Sequence, residues 1–429
     1  MERRMRGGNA CREIQLWARL VSTVTLSAGI LAAALGCVSD STTPADSATD
    51  GVRTESWTIV ELPTQPHNVS PNSPGASGEP IRLNASPTAL NGRGQIVGVI
   101  TFPDPKRRDC CWRAVLWQNG RMVELGTLRG NESRPSAINE RGQIVGWSRT
   151  ADDAPRAALW EDGRTTDLGV GAADDVTENG KIVGSYGDAI VLWERGRRME
   201  LPFEGGWVSP PALNEHGDIV GMRRGRDGAE ATPASWPWDS PSYAVLSQDG
   251  QTAKLATLPG FDLSYASAIN DRGQIAGVAM TANGDHHLVL WEAGQMRDLG
   301  VIGRGRGVDG EWTLIEVGRV HINERGQVAV ATSELFDEGE PGAFVASNGK
   351  LQRLPAKIKS ISGINDHGQI IGTGNPEGQA GTAFVWRDGR LAELPGHGEV
   401  RLAAINERGE IVGTVDGRPM LWKPRRRTP

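Results

Sequence analysis

The sequence predicts an all-β protein, a closed β-propeller of eight four-stranded blades, with seven blades as the alternative. Three observations support this fold. One ten-residue phrase recurs eight times along the 429 residues, short apolar runs follow each copy, and tight-turn signals separate those runs. Glycine and proline, at 56 and 25 residues, exceed their usual share, as expected for short strands joined by turns. Four short strands in every 40–50 residues or so are typical of a propeller blade.

The repeated phrase encodes the first two strands of a blade, A and B. Its first copy is Ala89–Gly98, in which an Asn-x-x-Gly joint separates two runs. The glycine supplies the left-handed conformation that this hairpin needs, and we expect the asparagine to bond local backbone and fix the turn. Seven copies keep this asparagine, and Thr177 replaces it in the third. The turn glycines are Gly94, Gly142, Gly180, Gly217, Gly273, Gly326, Gly368 and Gly409.

The other copies are the ranges Ala137–Gly146, Asp175–Gly184, Ala212–Gly221, Ala268–Gly277, His321–Val330, Gly363–Gly372 and Ala404–Gly413.

Strands C and D follow within each copy. Strand C is an apolar run that closes on tryptophan, with a glycine three places later that predicts a second tight hairpin. Strand D ends in Leu-Gly or Leu-Pro, as in Met122–Gly126. Copies four and six have Ser247 and Ala346 in place of the tryptophan. We expect the motif tryptophans to pack between blades: Trp117, Trp160, Trp193, Trp291, Trp386 and Trp422.

The two ends of the repeat region complement each other. Copy eight stops near Pro424 without a strand D, whereas the segment Trp57–Pro63 matches the strand D pattern. An N-terminal strand that completes the last blade would close the ring and leave no long edge exposed. The propeller is therefore expected to span 56–424, followed by a basic tail at 425–429.

All variation in loop length falls in the B–C and D–A connections, which emerge on one face of the ring. We call this the variable face, and the opposite one the constant face. Variable loops on a rigid scaffold are where binding usually occurs. Two tryptophans in a proline-rich insertion of copy four suggest a stacking platform, although both rings could instead cover blade four, which lacks its motif tryptophan. The candidate ligand-binding residues are Trp236, Trp238, Arg223, Arg224, Trp112 and Trp312.

The N-terminus has the pattern of an export signal. An arginine-rich start precedes an uncharged run over 20–36, and small residues precede Cys37. This resembles the lipobox of bacterial lipoproteins, which implies cleavage before Cys37 and lipidation of its thiol; an ordinary signal peptide is the alternative. We expect a signal peptide at 1–36, a disordered tether at 37–55, and a lipid-anchored protein of the cell envelope. Val38 favours the outer membrane.

The repeat resembles the HAF repeat of bacterial extracellular proteins. The phrase Ala-Ile-Asn-x-x-Gly-Gln-Ile-Val-Gly, followed by Ala-Phe-x-Trp-x-x-Gly, carries the resemblance over about 57–422. His-Ala-Phe itself is altered, to Gly342-Ala343-Phe344 and Thr382-Ala383-Phe384, and only His287 keeps the histidine. The resemblance implies an exported repeat protein and brings no catalytic residues.

Other reactive residues suggest no cofactor or metal. Cys110 and Cys111 are adjacent and form either a vicinal disulfide or two thiols. His286 and His287 point to opposite faces of a strand, so we expect exposed side chains rather than a metal pair. The acidic stretch Phe336–Glu340 lacks the alternating ligands of a calcium loop.

These observations favour a binding module over an enzyme. The net charge of −6 argues against nucleic acid as a partner. The expected partners are the membrane, through the lipid, and a glycan or protein ligand, with the chain a monomer. We expect no enzymatic activity, because strand A, which lines a propeller channel, consists mainly of Ala, Leu, Ile and Asn. The alternatives are an exported hydrolase or lyase with acids and histidine at the channel, and a purely structural surface protein.

Overall fold

The computed structural model describes residues 56–64, 84–103, 110–187, 189–201, 211–224, 242–304, 315–334, 342–374, 381–396 and 398–425. All described strands belong to one compact unit, Thr54–Pro429. The predicted signal peptide at 1–36 and the tether at 37–55 lie outside the described residues, so these boundaries stay predictions.

The described strands form eight antiparallel sheets, one for each copy of the repeat. Strands A to D of blades 1 and 2 are β2 (Asn84–Leu90), β3 (Ile96–Pro103), β4 (Cys110–Gln118), β5 (Arg121–Glu124), β6 (Arg129–Ile138), β7 (Ile144–Thr150), β8 (Pro155–Glu161) and β9 (Arg164–Val170). Those of blades 3 and 4 are β10 (Ala172–Val176), β11 (Ile182–Tyr186), β12 (Ala189–Glu194), β13 (Arg197–Leu201), β14 (Ala212–Leu213), β15 (Ile219–Arg224), β16 (Ser242–Gln248) and β17 (Gln251–Lys254).

Blades 5 to 8 repeat the pattern. The strands of blades 5 and 6 are β18 (Phe261–Ile269), β19 (Ile275–Thr281), β20 (His286–Glu292), β21 (Gln295–Gly303), β22 (Ile315–Val317), β23 (His321–Ile322), β24 (Val328–Glu334), β25 (Ala343–Ser347) and β26 (Lys350–Arg353). Blades 7 and 8 contain β27 (Ser360–Ile364), β28 (Ile370–Gly374), β29 (Thr382–Arg387), β30 (Arg390–Glu393), β31 (Val400–Ile405), β32 (Ile411–Val415) and β33 (Arg418–Pro424).

The N-terminal strand closes the ring, as the sequence predicts. Strand β1 (Trp57–Glu61) pairs antiparallel with β33, with Trp57 opposite Pro424 and Glu61 opposite Met420. It therefore serves as strand D of blade 8, whose sheet order is β1-β33-β32-β31. The eight-blade prediction is confirmed, and the seven-blade alternative is set aside.

Two kinds of tight turn build the constant face. In all eight A–B joints the turn glycine has a positive φ, between 72° and 92°. The seven C–D joints are two-residue turns such as Asn119-Gly120, in which both residues have positive φ. This is the type I′ geometry that matches the twist of paired strands. The A–B joints thus share one backbone conformation in all eight blades, and the C–D joints share another in the seven blades that have one.

Strand A carries a β-bulge that explains the glycine at the end of the repeated phrase. We call the position of the repeat asparagine, which is Asn91 in blade 1, the ladder position. In six blades the pairing of strand A with strand B skips one residue of strand A, three residues before this position. The bulge brings a strand A carbonyl against the opposite glycine. A Cβ on Gly98 would overlap the carbonyl oxygen of Ser86, and equivalent overlaps occur at Gly146, Gly184, Gly277, Gly372 and Gly413.

Blade 6 departs from this pattern because Val330 replaces that glycine. Val330 is buried, and a Cβ at the equivalent position of the other blades would overlap the strand A carbonyl. In this blade strand A is split into β22 and β23; between them Gly318 still donates its N–H to the Ala331 carbonyl at 2.9 Å, whereas 319–320 are not paired in either strand. This break exposes Arg319.

The core lies between blades. Each hydrophobic cluster combines side chains of neighbouring sheets, as where Val97 and Ala114 of blade 1 pack with Ile144 and Trp160 of blade 2. All six motif tryptophans are buried, as predicted. Five donate their indole N–H, at 2.7–3.3 Å, to a carbonyl at or near the end of strand D in the preceding blade: Trp117 to Pro63, Trp160 to Gly126, Trp193 to Leu168, Trp291 to Ala256 and Trp422 to Pro395.

Candidate functional site

The constant face is locked by a ring of asparagines. The side-chain Oδ1 of each accepts the main-chain N–H four residues on, at 2.9–3.0 Å, which is the local turn bond that the sequence predicts. The Nδ2 group also donates to the ladder-position carbonyl of the next blade, at 2.9–3.3 Å, a bond that the sequence analysis missed. Seven of the eight junctions have this bond: Asn91 to Asn139, Asn139 to Thr177, Asn214 to Asn270, Asn270 to Asn323, Asn323 to Asn365, Asn365 to Asn406, and Asn406 to Asn91.

A ring of carboxylates lies beside the asparagines. In seven blades the residue after the ladder position is acidic, and its carboxylate accepts the main-chain N–H of the equivalent residue in the preceding blade. These residues are Glu140, Glu178, Glu215, Asp271, Glu324, Asp366 and Glu407. Burial raises the pKa of Glu324 and of Glu407. These carboxylates therefore fasten each blade to the next on the constant face.

Small side chains line most of the innermost strands. The position two residues before the ladder residue is Ala or Gly in six blades, whereas blade 3 has Asp175 and blade 6 has His321. Strands A of consecutive blades contact one another around the ring, so these positions surround the central channel. The six small residues leave room there, and the two ionisable ones interrupt the pattern.

Four ionisable residues lie on or next to the innermost strands of blades 3 and 6, and the charge of Arg319 acts on the other three. We define the channel cluster as Asp174, Asp175, Arg319 and His321. Asp174 occupies the bulge of β10, a position where the side chain is aimed differently from its neighbours. Arg319 comes from the break in strand A of blade 6.

Burial dominates the electrostatics of this cluster. It raises the pKa of Asp174 and of Asp175 to about 6. Hydrogen bonds from Ser185 to Asp174 and from the Val176 N–H to Asp175 partly offset this effect, and the positive charge of Arg319 adds a smaller offset. Burial, reinforced by the charge of Arg319, lowers the pKa of His321 to about 4, so its imidazole is neutral at neutral pH. Tyr265, at the inner edge of blade 5, also has its pKa raised by burial. Shifts of this kind, produced by desolvation and specific partners, are characteristic of functional sites.

The expectation that strand A is poor in reactive groups is therefore wrong for blades 3 and 6. The sequence contained a signal, since aligning the eight copies shows Asp175 and His321 at a position otherwise occupied by Ala or Gly. A second signal was Val330, the one departure from glycine at the end of the phrase. No sequence pattern indicated that the charge of Arg319 in blade 6 would act on the carboxyls of blade 3.

The variable face carries an exposed aromatic group. Trp112, at the start of β4, is 37% exposed and meets Trp147 of β7 edge to face, with ring centroids 6.5 Å apart. The guanidinium carbon of Arg134 in β6 lies 5.9 Å from the centroid of the Trp112 ring. Trp112 lies near the B–C connection of blade 1, and Arg134 and Trp147 face each other across the β6–β7 pair of blade 2. We call this group the aromatic cluster, and it brings one predicted ligand-binding residue together with two that were not predicted.

The remaining predicted residues have different outcomes. Arg223 lies in β15 opposite Tyr243, whose ring centroid is 4.5 Å from Nζ of Lys254. Trp236, Trp238 and Trp312 lie outside the described residues, as do the lipidation site Cys37 and the side chain of Arg224. Their roles stay predictions.

The cysteine and histidine pairs also lie near the variable face. Cys111 is buried, with Nδ2 of Asn131 at 3.9 Å from its Sγ, while the side chain of Cys110 is outside the described part, so the vicinal disulfide stays a prediction. Exposure of both histidines was wrong. His286 is buried, and His287 is half-buried, bonds Asp298 at 2.9 Å and packs edge-on against Phe261. Among the described residues, no group of three or more His, Cys, Asp or Glu could hold a metal ion.

The fold and its channel define a closed eight-bladed β-propeller. No known family model matches the chain, and no curated protein matches it. Within the described residues, no helix has the length and apolar character needed to cross a membrane.

Solved structures share the propeller. The β-propeller domain of the Trilobed protease from Pyrococcus furiosus is 14% identical, with a TM-score of 0.44, over 73% of this chain and 97% of that one. Porphyromonas gingivalis dipeptidyl peptidase 4 is 12% identical, with a TM-score of 0.49, over 74% and 54%. A puromycin-hydrolysing peptidase of Mycobacterium tuberculosis is 16% identical, with a TM-score of 0.46, over 77% and 58%. The chain thus spans just over half of the last two proteins, and the likeness shows the fold alone.

One expectation is corrected by this comparison. The sequence analysis expected no enzymatic activity, yet several solved structures that share the propeller are peptidases or the propeller domain of a protease. The exclusion also depended on a strand A without reactive groups, which blades 3 and 6 contradict. The prediction that this protein is not an enzyme is therefore wrong as it was argued.

Proposed function

We propose that this protein is an exported, lipid-anchored β-propeller of the HAF-repeat type that binds a carbohydrate of the cell envelope on its variable face. The closed ring supports the proposal, because it offers a rigid scaffold whose connections vary on one face only. The signal-like N-terminus and the small residues before Cys37 support export and anchoring. A protein ligand is the alternative that the experiment below distinguishes.

The aromatic cluster is the observation that carries this proposal. An exposed indole offers a flat apolar surface to the C–H face of a sugar ring, and its edge contact with Trp147 holds it in place. Arg134, exposed beside it, supplies hydrogen-bond donors for hydroxyl or carboxylate groups. Stacking and donation from adjacent side chains suit an acidic or neutral glycan.

Calorimetric titration of the full-length protein in detergent against cell-wall fragments and secreted polysaccharides tests the proposal. We expect saturable binding to at least one glycan and a loss of at least tenfold in affinity in Trp112→Ala. Tyr186→Ala is the matched control, because Tyr186 is 50% exposed and lies 5.8 Å from the guanidinium of Arg198, but has no aromatic partner in the described part of the chain. No response to any glycan, combined with a protein recovered by cross-linking in the envelope, would replace the carbohydrate with a protein ligand.

The anchor has its own test. Full-length protein and Cys37→Ala would be expressed in a Gram-negative host with radiolabelled palmitate, and we expect label only in the protein with the cysteine. Equal labelling of both proteins, or of neither, would contradict lipidation at Cys37.

The channel cluster favours a second candidate function, an exported hydrolase or lyase. Two carboxyls with a pKa near 6 and a neutral histidine are groups that can exchange protons with a substrate near neutral pH. Turnover of a glycan or peptide that is abolished in both Asp174→Asn and Asp175→Asn would support it. Unchanged turnover in both variants would exclude the cluster from catalysis.

A further inference from the structure

Two arginines occupy the same position of the repeat in different blades. Arg134 in β6 and Arg401 in β31 each lie five residues before the ladder position, and both side chains are exposed. In the other six copies this position is Ser, Ala, Tyr or Gly. Since the two arginines have the same place in their blades, their surroundings can be compared directly.

Arg401 is neutralised by an acid close to it in the chain. Oε1 of Glu399, two residues earlier, accepts hydrogen bonds from Nε and Nη2 of Arg401 at 2.9 and 2.5 Å. An acid at this spacing can therefore reach the guanidinium of an arginine at this position.

Blade 2 has the same acid in its sequence, but the structure pairs it differently. Glu132 stands two residues before Arg134, yet its side chain is only 10% exposed, and its carboxylate accepts a hydrogen bond from Nε of Arg149 in β7 at 2.7 Å. In the part of the chain that the structure describes, no carboxylate oxygen lies within 4.0 Å of the Arg134 guanidinium. The positive charge of Arg134 is thus left without a counter-ion from the protein.

This charge lies beside the exposed indole of the aromatic cluster. The guanidinium carbon of Arg134 is 5.9 Å from the centroid of the Trp112 ring, which is 37% exposed. The β6–β7 pairing places Arg134 opposite Trp147, and Trp147 meets Trp112 edge to face. An apolar ring and an uncompensated positive charge are therefore presented side by side at the surface.

These two groups define the chemistry of the ligand. A guanidinium presents its donors in a planar fork, and a carboxylate is the group that matches this fork. An indole suits the apolar C–H face of a sugar ring. A sugar whose ring carries a carboxylate, a uronic acid, satisfies both groups, whereas a neutral sugar leaves the charge of Arg134 unpaired.

We propose that the aromatic cluster selects acidic glycans, polysaccharides whose sugar rings carry carboxylates, and that Arg134 determines this selectivity. Trp112 receives the sugar ring, and Arg134 pairs with the carboxylate. This inference rests on the carbohydrate proposal and deepens it, because that proposal leaves acidic and neutral glycans open.

Calorimetry of the full-length protein in detergent tests the selectivity. The probes are polygalacturonate and alginate, each compared with the same polymer after its carboxyls have been reduced to primary alcohols. We expect at least one uronate polymer to bind saturably, and its reduced form to bind at least tenfold more weakly. Equal affinity for both forms, or binding of neutral glycans alone, would overturn the selectivity and leave the carbohydrate proposal in place. The absence of binding by every glycan would contradict both.

Variants identify the residue that reads the carboxylate. We expect Arg134→Gln to weaken binding of the uronate polymer by about ten- to a hundredfold, the range for a lost hydrogen bond between charged groups, and to leave binding of the reduced polymer unchanged. Arg134→Lys keeps the charge without the planar fork, so it should recover part of the affinity.

Arg401→Gln is the matched control, since Arg401 has the same position in its blade but is already paired with Glu399. We expect it to bind the uronate polymer as the wild type does. An equal loss in Arg401→Gln would show an effect of overall charge. Undiminished binding in Arg134→Gln, with an unchanged circular dichroism spectrum, would contradict the role of Arg134.

Salt provides a readout that a purely structural role of Arg134 would not change. Exposed ion pairs are screened by salt, so binding of the uronate polymer by the wild type should weaken between about 0.05 and 0.5 M sodium chloride. Arg134→Gln should show a smaller dependence on salt. The same dependence in both proteins would show that other cations hold the carboxylates, and would overturn the assignment.

Discussion

The asparagine ring lacks one bond, and a single substitution should complete it. Thr177 occupies the ladder position of blade 3 and is buried. Its hydroxyl accepts the N–H of Lys181 at 3.0 Å, which reproduces the local turn bond of an asparagine. Thr177 has no side-chain amide that could donate to blade 4. The main-chain carbonyl of Asn214 therefore lacks the inter-blade hydrogen bond that an asparagine supplies at the other junctions. Thr177→Asn would supply the donor in a setting that accommodates asparagine in the seven other blades.

The magnitude follows from one added hydrogen bond. A typical intramolecular hydrogen bond contributes roughly 0.5–1.5 kcal/mol, and the local bond to Lys181 is retained because Oδ1 replaces Oγ1. We therefore expect Thr177→Asn to raise the free energy of unfolding by about 1 kcal/mol. For a propeller of this size the unfolding entropy is large, so the melting temperature rises by only about 1–2 °C.

Urea denaturation followed by tryptophan fluorescence is the more sensitive assay. The reverse substitution, Asn139→Thr, is the matched control, because it removes the bond to the Thr177 carbonyl and preserves a local acceptor. Its denaturation midpoint should fall as that of Thr177→Asn rises. If Thr177→Asn lowers the midpoint, or if Asn139→Thr leaves it unchanged, the inter-blade bond is not what fastens the ring.

Three further predictions concern stability. Trp422→Phe removes the indole N–H bond to the preceding blade and part of a fully buried ring. The free energy of unfolding, measured by urea titration, should therefore fall by about 2 kcal/mol. An unchanged free energy of unfolding would show that this hydrogen bond does not help to hold the two blades together. Gly184→Ala places a Cβ on the carbonyl of Ala172 and should cost at least about 2 kcal/mol, whereas Gly163→Asn, in an open turn, should be nearly neutral; equal effects would contradict the bulge argument. Because burial raises the pKa of Asp175 to about 6, the folded chain holds a proton that the unfolded chain releases near pH 4, so this residue destabilises the fold as pH rises from 4 to 6. Asp175→Asn should then be more stable than wild type above pH 6, by up to about 3 kcal/mol, and equal to it below pH 4; a difference that does not vary with pH would refute this.

His321 should act in the opposite direction in any such pH series. Its lowered pKa means that the unfolded chain binds a proton more readily than the folded one between about pH 4 and 6.5. This contributes stability that is lost as the pH falls through that window. Wild-type curves therefore combine both effects, and only the difference between wild type and Asp175→Asn isolates the carboxyl.

Part of the candidate site at the channel could be predicted from the positions at which one copy of the repeat departs from the others. Asp175 and His321 stand where six other copies have Ala or Gly, and Val330 stands where a glycine is otherwise required. Each exception could be found by aligning the copies. The aromatic cluster was only partly predictable, because Trp112 was identified from its loop, whereas Trp147 and Arg134 reach it from the next blade.

The sequence by itself determined the number of blades, the turns and the closing strand. These follow from local chemistry: a glycine that must adopt positive φ, alternating apolar runs, and an orphan strand D pattern at Trp57–Pro63. Only the tertiary structure showed which asparagines bond from blade to blade and that the charge of Arg319 in blade 6 acts on the carboxyls of blade 3. Asp174 and Arg319 lie far apart in the chain, and the charge of Arg319 acts on Asp174 because the closed ring brings the inner strands of all blades around one axis. The periodic sequence determines the strands and turns of each blade, whereas closure of the ring determines which residues of different blades come near one another.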